Sequence, residues 1–343
     1  MTAVESQTAS GIARDFALGT FTTAGGARLD DVTLRYRVFG NTEAARAHGW
    51  ILVFHALTGS ADVDRWWGPL LGPGRALDTS RHAVVAANLL GGCYGSTGPA
   101  SPGARWPFPD LTPADLARAH GALLEGLGVE RLALATGGSL GGMVALEWGR
   151  HATVPTDRLV VFAAPAHTSP QAIAWNAVQR MAIEADPAWC GGRCEGRGPE
   201  AGLAAARALA MITYRSGLEF EQRFGRRTTR RPEMFDVESY LRRHGEKLVA
   251  RFDARSYVTL MRAMDLHDVG DLAAAARATA ERVGTVVGVG IDSDILYRPE
   301  EVRDWVAAYR RAGVNAEYRE ITTVYGHDAF LIEWSQVEAA LRP

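Results

Sequence analysis

One serine stands at the apex of a glycine-lined turn, Gly137-Gly138-Ser139-Leu140-Gly141. An apolar run, Leu132-Ala133-Leu134-Ala135, precedes it, and Met143-Val144-Ala145-Leu146-Glu147-Trp148 follows with helical character. A strand that turns this sharply into a helix strains its central residue, and glycines two before and two after leave room for the neighbouring chain. The Ser139 hydroxyl is thereby raised off the sheet, toward whatever the first helical N–H groups face. The chemistry that suits such a serine is acyl transfer. Glycine-rich turns around a serine also occur as plain packing, so the assignment needs partners.

A hydroxyl is a weak nucleophile near neutral pH and needs a base within hydrogen-bond reach. On a sheet of this kind the partners follow in the order acid, then histidine, on loops after the last strands. The apolar run Val286–Ile291 ends in Asp292-Ser293-Asp294, and the segment Ala316–Thr322 leads to Tyr325-Gly326-His327-Asp328. His327 is the candidate base and Asp294 the carboxylate that orients its imidazole. Asp292 competes for the acid role, or caps the strand as a turn residue. The tetrahedral intermediate needs two N–H donors: Leu140, directly after the serine, and Leu57, from the loop His55-Ala56-Leu57-Thr58-Gly59. The other histidines, His55 and His120 among them, are read as packing or surface residues.

These groups need a sheet to hold them. Period-two segments open the chain, Phe21-Thr22-Thr23 and Val32 to Val38 flanking Gly25-Gly26, and predict a hairpin. Continuous apolar runs follow at Ile51–Phe54, Val84–Ala87, Leu132–Ala135 and Leu159–Ala164, as strands covered on both faces require. Helical stretches such as Pro113–Leu127 lie between them, so the alternation predicts a doubly wound α/β sheet. From about His167 to about Arg277 the pattern is helix after helix, including Ala172–Ala185, Ala201–Arg215 and Val237–Phe252. The sheet pattern then resumes, with final helices at Pro299–Ala312 and Phe330–Leu341. One core, residues 1–166 and 278–343, interrupted by a helical lid at 167–277, is the simplest reading.

Bulk properties narrow the function further. Apolar residues make up 47% and charged residues 22% of 343, a globular composition. A formal net charge of −2 supplies no basic field for nucleic acid or anionic membrane. The first twenty residues lack the apolar core of a secretory signal, and no run is long enough to span a membrane. Three cysteines fit a reducing cytoplasm rather than a disulfide framework. Cys190 and Cys194 lack a second ligand pair nearby, so no metal is expected. The basic run Arg226-Arg227-Thr228-Thr229-Arg230-Arg231 is a solvated loop or a phosphate contact for a nucleotide-bearing cofactor.

The longer motifs carry a family resemblance. His55-Ala56-Leu57-Thr58-Gly59, Ala87-Asn88-Leu89-Leu90-Gly91-Gly92-Cys93-Tyr94-Gly95-Ser96-Thr97-Gly98-Pro99 and Gly137 to Met143 resemble the homoserine O-acetyltransferases of the α/β-hydrolase superfamily. The likeness continues through Ile212-Thr213-Tyr214-Arg215-Ser216, Arg251-Phe252-Asp253 and Gly326-His327-Asp328. It implies an α/β-hydrolase fold with an inserted helical lid, and acetyl transfer from acetyl-CoA to L-homoserine on the way to methionine. It further implies a ping-pong mechanism, acetyl-CoA as co-substrate with no permanently bound cofactor, and a homodimer. By the same resemblance Arg207 grips the substrate carboxylate and Asp328 its ammonium group. A succinyl donor, another hydroxyl acceptor such as serine, and a water-using carboxylesterase remain the alternatives.

Overall fold

The strand-forming runs assemble into one eight-stranded sheet: β1 (Arg14–Thr22), β2 (Arg28–Gly40), β3 (Trp50–Phe54), β4 (Ala83–Ala87), β5 (Leu132–Gly138), β6 (Thr156–Phe162), β7 (Val283–Ile291) and β8 (Ala316–Ile321). This is a computed structural model, and it describes residues 11–193, 198–229 and 234–342. The spatial order is β1-β2-β4-β3-β5-β6-β7-β8. The first two strands form the predicted hairpin, β2 runs antiparallel to β4, and every later pairing is parallel.

Period two sorts the central strands onto two faces. Leu52 and Phe54 of β3 enter one apolar cluster, and Ile51 and Val53 enter the other. Both faces are covered by helices, which is why these strands read as unbroken apolar runs. β6 stops at Phe162, short of the predicted Ala164, because Ala163 takes a left-handed φ of 45°. The predicted helix Phe330–Leu341 is divided into a 3-10 turn, Gly326–Leu331, and a helix, Trp334–Leu341. The Phe330 carbonyl, near the end of the 3-10 turn, accepts from the Trp67 indole at 2.9 Å.

Between β6 and β7 the chain is helical, with helices at Pro170–Glu184, Glu200–Thr213, Gly217–Arg223, Asp236–Val249 and Ala254–Asp265. Capping side chains start three of them: Ser169, Ser216 and Asp253 accept from the backbone N–H of Ala172, Ser216's partner Glu219, and Ser256. Gly245 lets two of these helices cross closely, since a Cβ there would lie 2.8 Å from the Ala204 carbonyl oxygen. Departing and returning chains are stitched together at the base, where Thr168 N–H meets the His267 carbonyl at 3.0 Å and Val269 N–H meets that of Ala166 at 2.9 Å. The next helix, Leu272–Ala280, lies partly within the 167–277 span but packs on the core helix Leu140–His151.

Candidate active site

Close packing explains the glycines around Ser139. A Cβ on Gly137 would lie 2.4 Å from the Gly141 carbonyl oxygen, and one on Gly141 would lie 2.3 Å from that of Phe54. The turn is thus pressed against the end of β3. Ser139 sits at φ 59° and ψ −127°, a strained conformation for a residue with a side chain. It is 5% exposed, at the start of helix Leu140–His151.

Asp294 and His327 come together. The imidazole Nδ1 lies 2.6 Å from Asp294 Oδ2. The other carboxylate oxygen accepts from the N–H groups of Leu296 (2.8 Å) and Tyr297 (3.1 Å), which fixes its orientation. Asp292 is exposed and accepts instead from the Thr323 N–H at 3.0 Å, so it is a turn cap. Burial works against the His327 cation, yet the charge and hydrogen bond of Asp294, aided by Asp328, raise its pKa above the ordinary value. With Nδ1 donating to Asp294, Nε2 is the acceptor nitrogen of the neutral ring; it is buried and bonded to nothing. Ser139 is therefore not hydrogen-bonded to it in this conformation. Phe330 links the two loops: its ring is 5.7 Å from that of His327, and a Cβ on Gly138 would touch it at 2.5 Å.

The two expected donors lie at the start of the helix after Ser139 and in the loop after β3. Leu140 is the first residue of its helix, so its N–H has no acceptor within the helix. Leu57 is buried in the loop after β3. That loop is braced by His55, whose Nδ1 donates to the Ala56 carbonyl (2.8 Å) while Nε2 accepts from Leu89 N–H (3.0 Å). Burial pushes the His55 pKa down to about 4, so the ring is neutral, as both bonds require. Asn88 is a second brace: its side chain accepts from Ala61 N–H at 2.7 Å and donates to the Tyr94 carbonyl at 2.6 Å. Neither brace has a sequence signal of its own beyond membership of a long motif.

Arg207 and Asp328 are reached through Tyr214 and Arg215. The Arg207 guanidinium lies over the Tyr214 ring at 5.4 Å, and that ring is 5.7 Å from His327. Asp328 is paired with Arg215 at 3.1 Å, and Arg215 in turn with Glu219 at 3.3 Å. Arg215 was not singled out from the sequence, because an arginine at a helix end reads as solvated surface. Of the remaining candidates, Cys194, Arg230 and Arg231 lie outside the described residues. Burial pushes the Cys93 thiol up to about 11.

Comparison with known proteins shows the family of the chain. Residues 49–255 match the family model for the alpha/beta hydrolase fold. The chain is 44% identical to the homoserine O-acetyltransferase of Moorella thermoacetica, over 93% of this chain and 91% of that one. It belongs to the homoserine O-acetyltransferase family. Among solved structures, the homoserine O-acetyltransferase from Bacillus anthracis superposes with a TM-score of 0.86 at 22% identity, covering 96% of both chains. Esterase E22 superposes with a TM-score of 0.84 at 20% identity, covering 96% of this chain and 100% of that one. Members of the homoserine O-acetyltransferase family and esterases thus share this fold, and fold alone does not separate transfer to an alcohol from transfer to water.

Proposed function

We propose that the chain transfers an acetyl group from acetyl-CoA to the hydroxyl of L-homoserine, in methionine biosynthesis. The observation that carries the reading is the buried Asp294–His327 pair, with Nε2 free, packed through Phe330 against the turn that strains Ser139. In the first half-reaction Ser139 Oγ attacks the thioester carbonyl and its proton passes to His327 Nε2. The oxyanion is held by the N–H groups of Leu57 and Leu140. The C–S bond breaks, the thiolate takes the proton from His327, and acetyl-Ser139 remains. In the second half-reaction His327 takes the proton of the homoserine hydroxyl, whose oxygen attacks the acetyl carbon. The C–O bond to Ser139 breaks and its oxygen recovers the proton. One covalent intermediate shared by two substrates gives ping-pong kinetics.

Arg207 binds the acceptor carboxylate and Asp328 its ammonium group, as a guanidinium fork and a carboxylate acceptor suit. Exposed Val178, Met181, Ile212 and Leu218 on the insert support a homodimer formed through it. The reading also places the chain in the cytoplasm. Initial rates with acetyl-CoA and succinyl-CoA, each with homoserine, serine or water as acceptor, test the assignment. Acetyl-CoA with homoserine should win by at least about tenfold, the scale on which a pocket separates related groups. Equal rates with water in place of homoserine would make the chain an esterase.

A further inference from the structure

We propose that the cavity at the mouth of this site binds the phosphate groups at the far end of the acyl donor, with Arg65 and Arg251 as their contacts. The inference rests on the thioester donor proposed above and extends it to residues that neither motif nor catalytic geometry assigns. The cavity holds about 550 Å³ between β2, the loop after β3 and the helical insert. Its inner wall includes Ala56, Thr58 and Gly59, which flank the expected oxyanion donor Leu57. A donor whose carbonyl reaches Ser139 past that loop leaves its distal end here.

The rim carries more cations than the protein neutralises. Among the described residues, five arginines, Arg35, Arg37, Arg65, Arg207 and Arg251, line the cavity, with Asp62 as the only carboxylate in its wall. Arg35 and Arg37 are spaced by two on β2, so both project from the face opposite buried Tyr36. They are occupied: Arg35 forks onto Asp15 at 2.7 and 2.8 Å, and Arg37 reaches Asp62 at 2.7 Å and Asp64 at 2.8 Å. Arg207 is reserved by its place over Tyr214. The other two are different. Among the described residues, Arg251 donates only to neutral acceptors, the Thr58 carbonyl at 2.8 Å, the Thr58 hydroxyl at 3.4 Å and the Tyr94 hydroxyl. Arg65 is 80% exposed, and its Asp62 contact of 3.6 Å is longer than a hydrogen bond.

Arg251 with no carboxylate contact among the described residues and Arg65 in a loose, exposed pair with an Asp62 already taken by Arg37, on separate elements around one cavity, suit a polyanion. Phosphate oxygens accept guanidinium forks, and a donor that carries several phosphates supplies the charge this rim lacks. The same cations would also suit the distal carboxylate of a dicarboxylic acyl group, so the test separates these two anions.

Steady-state kinetics with homoserine compare acetyl-CoA, S-acetylpantetheine and S-succinylpantetheine, in the wild type and in Arg65→Glu, an exposed position at which charge reversal leaves packing untouched. The expected result is that Arg65→Glu raises the KM for acetyl-CoA about tenfold or more, by placing a carboxylate where a phosphate binds. The KM for S-acetylpantetheine, which has no phosphate, should stay within about twofold, and kcat should not move. Rising salt should weaken acetyl-CoA in the wild type and spare S-acetylpantetheine. Equal shifts for both acetyl thioesters, or none, would overturn the inference while leaving the donor reading intact. A wild-type preference for S-succinylpantetheine over S-acetylpantetheine would overturn it in favour of a carboxylate subsite. A wild type that turns over no thioester overturns the donor reading and the inference together.

Discussion

Arg215 holds Asp328 at 3.1 Å, and so ties the helical insert to the residue that follows His327. Arg215 is shared with Glu219, and Asp328 N–H also donates to the Tyr214 carbonyl at 3.2 Å. On the proposed reading of Asp328, the acceptor side of the site is thereby positioned by the insert rather than by the sheet. The Asp328 carboxylate, proposed to take the ammonium group, is held by a neighbouring guanidinium.

Arg215→Ala should therefore weaken acceptor binding without stopping the first half-reaction. The KM for homoserine is expected to rise about tenfold to a hundredfold, the scale of losing a charge-assisted contact. The pre-steady-state release of free thiol from acetyl-CoA alone should keep its rate. A matching loss in thiol release would show that Arg215 acts on the nucleophile instead. Thermal denaturation must accompany the kinetics, because buried Glu219 loses one arginine partner and keeps the more exposed Arg223.

The pH profile follows from the raised pKa of His327. Nε2 must be unprotonated to accept the serine proton, so kcat/KM should climb with pH along a limb centred above the ordinary histidine value of about 6.5. Asp294→Asn removes the charge that raises it, so the limb should move down while kcat falls by about four orders of magnitude, as when a triad loses its tautomer control. Stability has the opposite sense. A histidine with a raised folded pKa stabilises fully below its unfolded value, and that contribution fades as pH rises through the folded one.

His55 gives the contrary case. Its folded pKa of about 4 lies below its unfolded value, so the neutral ring contributes its full stability above pH ~6.5 and loses it as pH falls toward 4. The loss from this residue is about 3 kcal/mol between those limits. Urea denaturation at pH 7 and pH 4.5 should give a smaller difference in His55→Gln than in the wild type. An unchanged difference would place the acid sensitivity elsewhere.

Gly141→Ala probes the packing of the turn against β3. Its Cβ would lie 2.3 Å from the Phe54 carbonyl oxygen, backbone that cannot step aside. A destabilisation of about 3 kcal/mol is expected, as for overpacking in a closed interior, with loss of activity. Ser139→Ala, by contrast, should fold normally. Circular dichroism melts of both variants check the pair.

Much of this was legible in the residues. Strands β3 to β6 announced themselves because burial on both faces leaves no polar positions. The order Ser139, Asp294, His327 was readable because each follows a strand-like run. β7 begins at Val283 rather than Val286, and Gly284 and Thr285 hid its start. β1 begins at Arg14, where Phe16 and Leu18 alternate but are only half-buried, and register shifts around Gly19 break the pattern before Phe21. The choice between Asp292 and Asp294 depended on which carboxylate a distant loop would meet. Arg215, Arg251 and His55 were not legible as site residues, because their meaning comes from which helix or loop packs beside them. Local sequence does not carry that information.

The account turns on Ser139 carrying the acetyl group. Mixing the protein with acetyl-CoA in the absence of homoserine, quenching, and measuring the intact mass and the Ser139 peptide tests it directly. The account predicts one acetyl adduct on Ser139, absent in Ser139→Ala and discharged when homoserine is added. An unmodified Ser139 peptide under conditions where O-acetylhomoserine still forms would contradict it.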